Sequence, residues 1–232
     1  MQHLIDERTQ REIAARIDLA VAEVLSELPN HGSEEGMTPV LGHALMKQSF
    51  DSPTLSVEFN YRQLNKITEE PHAGADGGIV VRIKNPNGIT VKAALFQAKL
   101  LKKGGTVRHL SMSTEEAKRL TGQTSDMLAF TEEAVSIFYT PKEIYVVDAN
   151  KYQESPTRHP LSTKHRLLSL GTYLGRWMPR CTRGDLKPEL ISRVMHHNGF
   201  KQHLTMDIIT SQLPILWKDE VTPSQTRRRR QE

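Results

Sequence analysis

The chain has 232 residues, of which 37% are hydrophobic and 25% are charged, a composition typical of a folded protein with a buried core. Its single cysteine, Cys181, excludes an internal disulfide framework and a zinc site built from several thiolates. No run approaches the ~18 apolar residues of a membrane span, and the charged N-terminus lacks the apolar core of a secretion signal. We therefore expect a cytoplasmic protein without a membrane partner.

Positive charge is concentrated in the last residues of the chain. The formal net charge is +4, but Arg227–Arg230 supply four of the 31 basic residues, and without residues 227–232 the chain has 27 basic and 26 acidic residues. Such a run can bind phosphate groups or can be a solvated terminus, and the sequence leaves both open. We predict one domain over residues 1–218 and a basic disordered tail over residues 219–232.

The first part of the chain combines a helix, a loop and a strand. Apolar residues from Ile13 to Leu28 recur at three- and four-residue spacings, which predicts an amphipathic helix that ends at Pro29. Residues 30–40 are rich in Gly, Ser, Glu and Pro and are interpreted as a loop. Residues 54–61 alternate in polarity and are rich in β-forming residues, so we predict a strand.

A hairpin is predicted in the middle of the chain. Residues 78–83 and 89–101 form strand-like segments, and the turn between them contains Asn87-Gly88. This pair supplies the positive φ angles that a tight hairpin turn requires. Two antiparallel strands are therefore expected to lie side by side.

The second half of the chain alternates again before it becomes helical. Ser113 and Glu116 have capping-box spacing, which predicts a helix that begins at Ser113. Further elements are predicted as strands 134–139 and 143–148 and helices 161–178 and 185–197. This order favours an α/β fold in which helices flank a mixed sheet. Its core is expected at about residues 54–150, with a helical C-terminal part at residues 160–218.

Three polar side chains in and beside the predicted hairpin are candidate site residues. Asp76 lies among glycines at the start of one strand, and Gln97 and Lys99 lie near the end of the other. Because Gln97 and Lys99 are two residues apart, both side chains point to one face, which the hairpin brings beside Asp76. The structural alternatives are a turn aspartate at residue 76 and a wet edge-strand face at residues 97–99.

Lys99 needs an anionic partner if its strand is buried. Residues 93–98 are apolar apart from Gln97, and an unpaired lysine on such a strand is costly. A carboxylate, a divalent cation and a phosphate would together justify it. Phosphodiester hydrolysis uses this set, because the cation neutralises the phosphate and acidifies a water while a lysine orients or deprotonates that water. Oxygen ligands suit Mg²⁺.

The pattern GADGG, then a hairpin, then FQAK resembles the PD-(D/E)XK nuclease superfamily, whose fold is restriction-endonuclease-like. By this resemblance Asp76 is the metal-binding aspartate, Lys99 is the catalytic lysine and the Ala98 carbonyl is a further metal ligand. Gln97 stands where the family more often has Glu or Asp, although Mrr-like members resemble this chain in having glutamine there. The resemblance covers about residues 55–150 and implies Mg²⁺ or Mn²⁺ as the cofactor.

The resemblance also implies an earlier acidic residue and a polar residue on the following helix. Glu70 is our choice for the acid, with its neighbour Glu69 as the alternative and Glu58 of the preceding strand in reserve. Gln123 resembles the glutamine that RecB-like members aim at the site. Met127 stands where those members often have a tyrosine.

Basic residues around this segment have two interpretations. His72 could contact a phosphate or lie in a surface loop. Lys102, Lys103 and Arg108 could follow a nucleic-acid backbone or lie in a solvated loop. The sequence does not decide between the two.

Other metal-ligating residue types are expected to have no catalytic role. The adjacent His196 and His197 do not share a helix face, and no carboxylate motif accompanies them or His203. Cys181 has no convincing base beside it and is expected to be an inert thiol.

Three functions are therefore carried forward. The first is a Mg²⁺-dependent endodeoxyribonuclease with DNA as its partner, used in defence against foreign DNA by analogy of fold alone. The second is a catalytically inactive, nuclease-like module that binds nucleic acid or a partner protein, which the neutral Gln97 leaves open. The third is a nuclease controlled by a regulatory or sensor protein. A homo-oligomer is compatible with each.

Overall fold

Eight strands form one mixed sheet in the computed structural model, which describes residues 3–28, 33–64, 74–101, 113–150, 167–196 and 200–212. In chain order the strands are β1 Phe50–Asp51, β2 Leu55–Gln63, β3 Gly77–Asn85, β4 Gly88–Leu100, β5 Ala134–Tyr139, β6 Ile144–Asp148, β7 Leu168–Ser169 and β8 Gln202–Thr210. Their order across the sheet is β1-β2-β8-β3-β4-β5-β6-β7. β3 is antiparallel to β4 and parallel to β8, and β4 is parallel to β5.

Helices cover both faces of this sheet. They are α1 Glu7–Glu27, α2 Glu34–Met46, α3 Thr114–Phe130, α4 Leu170–Thr172, which continues as a π-helical turn Tyr173–Trp177, and α5 Pro188–Met195. On one face, α1, α2 and the π-helical turn bury a large apolar core that includes Ile79, Phe96 and Ala98. On the other face, Val80 and Leu95 belong to a smaller core with residues of α3 and α5. The smaller core lies beside Gln97 and Lys99, because residues 95, 97 and 99 share a strand face.

Local sequence signals predicted several elements correctly. α1 ends at Glu27, the hairpin pairs Asn85 with Gly88 across its turn, and β5 has the predicted bounds. The capping box at the start of α3 is also confirmed, since the Glu116 N–H donates to Ser113 Oγ at 3.2 Å and the Ser113 N–H donates to the Glu116 carboxylate at 3.1 Å. The helix expected at residues 185–197 is shorter, at Pro188–Met195, with Pro188 in its first turn.

The loop expected at residues 30–40 is wrong from residue 34 onward, where α2 begins. Ser33 caps the helix by accepting the Gly36 N–H at 3.4 Å. The helix tolerates Pro39 because its buried residues Met37, Leu41, Ala44 and Leu45 recur at helical spacing and pack into the larger core. Burial of this face outweighs the backbone hydrogen bond that a proline removes.

The wholly helical C-terminal part expected at residues 160–218 is also wrong. β8 pairs with β2 on one side and with β3 on the other, in the middle of the sheet. It alternates, with Leu204, Met206 and Ile208 in the larger core. Residues 168–169 of the helix expected at 161–178 form the edge strand β7, and in the described part of this segment, residues 167–178, helical structure begins at Leu170.

Several predictions fall outside the described residues. These are the first part of the 161–178 helix, the end of the domain at residue 218 and the basic tail at residues 219–232. Within the described residues, no helix is long and apolar enough to span a membrane.

Candidate active site

The candidate site lies just before the first residue of β3, where the paired strand β4 continues past it. β3 begins at Gly77, which pairs with Phe96, whereas β4 extends to Leu100. The Asp76 N–H donates to the Phe96 carbonyl at 2.9 Å, and the half-buried Asp76 side chain then turns back over β4. Its Oδ2 accepts the Ala98 N–H at 2.8 Å. The carboxylate therefore occupies the place at which another residue of β3 would otherwise satisfy Ala98.

The Gln97 amide completes this arrangement. Gln97 is 2% exposed, and its Nε2 donates to Asp76 Oδ2 at 2.5 Å and to the Ala98 carbonyl at 3.3 Å. Its Oε1 is buried and has no hydrogen-bond partner among the described residues. Three groups predicted as ligands, the Asp76 carboxylate, the Gln97 amide and the Ala98 carbonyl, are thus brought together.

The orientation of the Gln97 amide decides what this cluster can bind. In the structure its NH₂ group donates to two acceptor oxygens, while Oε1 is left without a donor among the described residues. Rotation of the amide by about 180° would exchange Nε2 and Oε1, because the two ends of a carboxamide have the same shape. Gln97 Oε1 would then lie next to Asp76 Oδ2 and the Ala98 carbonyl oxygen, and a cation between these three oxygens would relieve their repulsion.

The donor set fits a hard divalent cation. Carboxylate, carboxamide and peptide oxygens are the ligands that Mg²⁺ accepts while it keeps several waters. The unpartnered Gln97 Oε1 is an oxygen that such an ion would satisfy after the amide turns. The described residues contain no group of three or more His, Cys, Asp or Glu side chains that could hold a metal ion. Among the three ligand groups of this site, the Asp76 carboxylate is the one that carries negative charge.

Lys99 lies on the same strand face as Gln97 and is 8% exposed. Its position links the site to the start of α3. Glu116 has a pKa below its usual value, chiefly because its carboxylate accepts hydrogen bonds from the Ser113 backbone and side chain, and the Lys99 charge also contributes. The capping box of α3 therefore lies within electrostatic reach of the predicted catalytic lysine.

Burial alone does not identify a catalytic lysine on this strand. Lys92, which sequence analysis did not single out, is 1% exposed, and burial lowers its pKa to about 8. Its ammonium group donates to three backbone carbonyls, those of Met178, Arg180 and Arg183. Lys92 thus fastens the segment that follows the π-helical turn, and it lies on the strand face opposite to Lys99.

α3 also supports the turn that carries Asp76. Gly74 has φ +62°, and a Cβ atom at this position would lie 2.6 Å from the Gln123 carbonyl oxygen. Glycine permits both the left-handed backbone and this close approach. Gln123 Oε1 is buried without a hydrogen-bond partner in the described part of the chain. The Gln123 backbone thus lies beside the turn that precedes Asp76, while Met127 packs in the smaller core.

The reserve acidic residue Glu58 does not join the site. β8 separates β2 from β3, and Glu58 lies opposite Asp207, which pairs with Arg82 of β3. Arg82 is six residues beyond Asp76 in the sequence, or ~20 Å along a strand. The idea that Glu58 completes the site is therefore wrong. The preferred Glu70 and its neighbour Glu69 lie outside the described residues, as do His72, Lys102, Lys103, Arg108 and His197.

His203 lies closer to the site than sequence analysis indicated. It is 2% exposed and pairs with Gly78 across the β3–β8 ladder, two residues from Asp76, and its Nε2 lies 2.8 Å from the Phe200 carbonyl oxygen. This position depends on β8 entering the centre of the sheet, which no local signal indicated. Cys181 is exposed.

Comparisons with known proteins do not assign the chain to a family. No protein-family model, no curated protein and no solved structure matches it.

Proposed function

We propose that the chain is a metal-dependent nuclease with a restriction-endonuclease-like fold, which hydrolyses phosphodiester bonds of DNA with Mg²⁺ or Mn²⁺. The observation that carries the proposal is the contact of Asp76, just before β3, with Gln97 and the Ala98 peptide of β4. Lys99 lies on the same strand face as Gln97 and is buried. A turn aspartate and a solvated edge strand do not account for this arrangement, because Gln97 and Lys99 are buried and β4 is a central strand.

Each residue has a separate role in this proposal. Asp76, the Gln97 amide oxygen and the Ala98 carbonyl hold the cation, which when bound supplies positive charge beside the phosphate and an acidified water. Lys99 orients the attacking water and stabilises the negative charge that develops on the phosphate oxygens. Glu70 remains the proposed further acid. The Ala98 N–H donates to Asp76 Oδ2 and would hold the carboxylate in place for a cation.

The alternative function is a catalytically inactive, nuclease-like module that binds nucleic acid or a partner protein. One observation favours it: Asp76 Oδ2 accepts hydrogen bonds from the Gln97 amide and the Ala98 N–H, so this oxygen is satisfied without a cation. A neutral glutamine also attracts a cation less than the carboxylate that is more usual in the family. Under this alternative the site residues are structural.

Cleavage assays separate the two functions. Purified protein is incubated with plasmid DNA, single-stranded DNA and RNA in Mg²⁺, Mn²⁺ or EDTA. We expect cleavage of DNA with either metal and none in EDTA. Binding of DNA without cleavage in any metal would support the inactive module, whereas full cleavage in EDTA would reject the metal site.

Further features of the proposal rest on the nuclease assignment. A cytoplasmic DNA nuclease needs control, so we propose regulation by a sensor protein or by assembly into a homo-oligomer, with defence against foreign DNA as the setting. This setting is an argument from fold-level analogy. Co-purification with partners and the mass of the assembled protein in solution would test it.

A further inference from the structure

Ser136 is an unexplained polar residue in an apolar strand. All six residues of β5, with sequence AVSIFY, are buried, and Ser136 is the polar residue at its centre. Ser136 is 0% exposed, and its hydroxyl has no hydrogen-bond partner in the described part of the chain. Burying a hydroxyl without a hydrogen-bond partner destabilises the folded state. An alanine at this position would avoid the loss of stability. The serine therefore indicates a group that its hydroxyl could bind in another arrangement of the neighbouring side chains.

The register of the sheet places Ser136 beside Gln97. The two residues are paired across the parallel β4–β5 ladder, in which neighbouring strands lie ~4.8 Å apart. On its other side Ser136 pairs with Val147, which is apolar. Gln97 is therefore the polar one of its two ladder neighbours. Like Ser136 Oγ, Gln97 Oε1 is buried without a hydrogen-bond partner among the described residues.

We propose that Ser136 is a positioning residue that holds the Gln97 amide with its oxygen toward Asp76 and Ala98. In the structure the NH₂ group of Gln97 donates to those two residues. The Ser136 hydroxyl has no hydrogen-bond partner among the described residues. When the amide turns, its NH₂ group leaves both acceptors and needs a new one. Ser136 Oγ, after rotation about its Cα–Cβ bond, accepts that N–H on the side where Oε1 lies now.

The serine therefore stabilises one amide orientation more than the other. Removing its hydroxyl takes no observed hydrogen bond from the orientation seen in the structure, because Gln97 Oε1 has no donor among the described residues. A serine that turned to donate to Oε1 would stabilise that orientation less, since a buried carbonyl without a donor is tolerated better than a buried N–H without an acceptor. Without the hydroxyl, the turned orientation would bury an N–H without an acceptor, which is the more costly defect. Ser136→Ala should then weaken divalent-cation binding by about tenfold, the scale of one hydrogen bond to a buried group.

A carboxylate at residue 97 provides the control that a merely structural serine would not pass. Both ends of a glutamate carboxylate are oxygens, so it needs no selection of orientation. In a Gln97→Glu background, the added Ser136→Ala change should alter cation affinity by less than about twofold. Ser136→Thr keeps the hydroxyl and suits a strand, so it should bind the cation as the wild type does.

The experiment is a calorimetric titration of the full chain with Mn²⁺ in the absence of nucleic acid, with urea unfolding to check each variant. Ser136→Cys, which has nearly the shape of serine and a weak acceptor, serves if the alanine variant does not fold. The inference rests on the proposed metal site. Weaker binding by the alanine or cysteine variant, restored by threonine and absent in the Gln97→Glu background, supports it.

Two results would overturn the role of Ser136 without touching the metal site: wild-type affinity in the alanine and cysteine variants, or equal weakening in the Gln97→Glu background. No Mn²⁺ binding by the wild type would overturn the metal site and the role of Ser136 together.

Discussion

Gln97 Nε2 donates to Asp76 Oδ2 at 2.5 Å, although the two residues are 21 positions apart in the sequence. The contact arises because the hairpin register puts Gly77 opposite Phe96, which leaves Asp76 beside Gln97. An amide and a carboxylate in this position form either a closed hydrogen-bonded pair or, with the amide turned, two ligands of one cation. Substitutions at and around these residues distinguish the hydrogen-bonded pair from the pair of cation ligands.

Asp76→Asn should abolish most cleavage while the protein remains folded. The asparagine keeps an oxygen that can accept the Ala98 N–H, but it removes the negative charge of the described site. We expect cleavage to fall by at least ~100-fold, the scale of losing a positioned charge. Asp207→Asn is the matched control, because Asp207 pairs with Arg82 on a partly exposed part of the sheet away from Asp76. Cleavage rates and thermal unfolding of both variants provide the measurement.

Lys99→Met and Lys92→Met should have opposite consequences. Lys99→Met should lower cleavage by at least ~100-fold with little loss of stability. Lys92→Met leaves three carbonyls without their donor, so it should lower the free energy of unfolding by about 3 kcal/mol.

Urea unfolding and cleavage assays on the two variants measure this contrast. The exposed Lys84 of β3 supplies the control variant Lys84→Met, which should change neither property. A fully active Lys99→Met variant would contradict the catalytic role of Lys99, and a Lys92→Met variant as stable as the wild type would contradict the structural role of Lys92.

Gln97→Glu should make stability depend on the metal. Two carboxylates would then face each other where an amide now donates to Asp76, so the variant should melt at a lower temperature in EDTA than the wild type. Mg²⁺ should raise its melting temperature more than that of the wild type, because a bound ligand stabilises the folded state. Gln97→Ala should show no such gain and should cleave less than Gln97→Glu. Equal melting temperatures with Mg²⁺ and with EDTA for Gln97→Glu would argue against a cation at this position.

Gly74→Ala should impair the site through the turn that carries Asp76. The substitution strains a backbone at φ +62° and places a Cβ 2.6 Å from the Gln123 carbonyl oxygen, so Asp76 should shift and cleavage should fall. Gly122→Ala is the control on α3, since a Cβ there has nothing within 4 Å among the described residues. It should raise stability by about 1 kcal/mol through helix propensity. Normal activity in Gly74→Ala would show that this turn does not position Asp76.

Local patterns predicted the hairpin and with it the central contact of the site. The Asn87-Gly88 turn sets the register of β3 and β4, and that register brings Asp76 to Gln97. α2 was missed because Pro39 signals a break, although burial of one helix face decides the outcome. The hairpin depends on residues that are close in sequence, whereas α2 is stabilised by packing against α1, β2 and β4.

The remaining features depend on contacts between distant segments. β8 reaches the centre of the sheet through pairing with β2 and β3, so the neighbourhood of His203 is not visible in any short segment. Ser136 gains meaning only after β5 is placed parallel to β4. The sequence AVSIFY indicates a buried strand with one polar residue, but it does not name the neighbour of that residue.

The most direct test of the central claim is cleavage of supercoiled plasmid DNA by the wild type and by Asp76→Asn, each with Mg²⁺ and with EDTA, at matched concentrations of folded protein. We expect rapid conversion to nicked or linear DNA only for the wild type with Mg²⁺, and cleavage by Asp76→Asn that is slower by at least ~100-fold. Equal cleavage by the two folded proteins, or cleavage by the wild type that persists in EDTA, would contradict a metal-dependent nuclease site at Asp76.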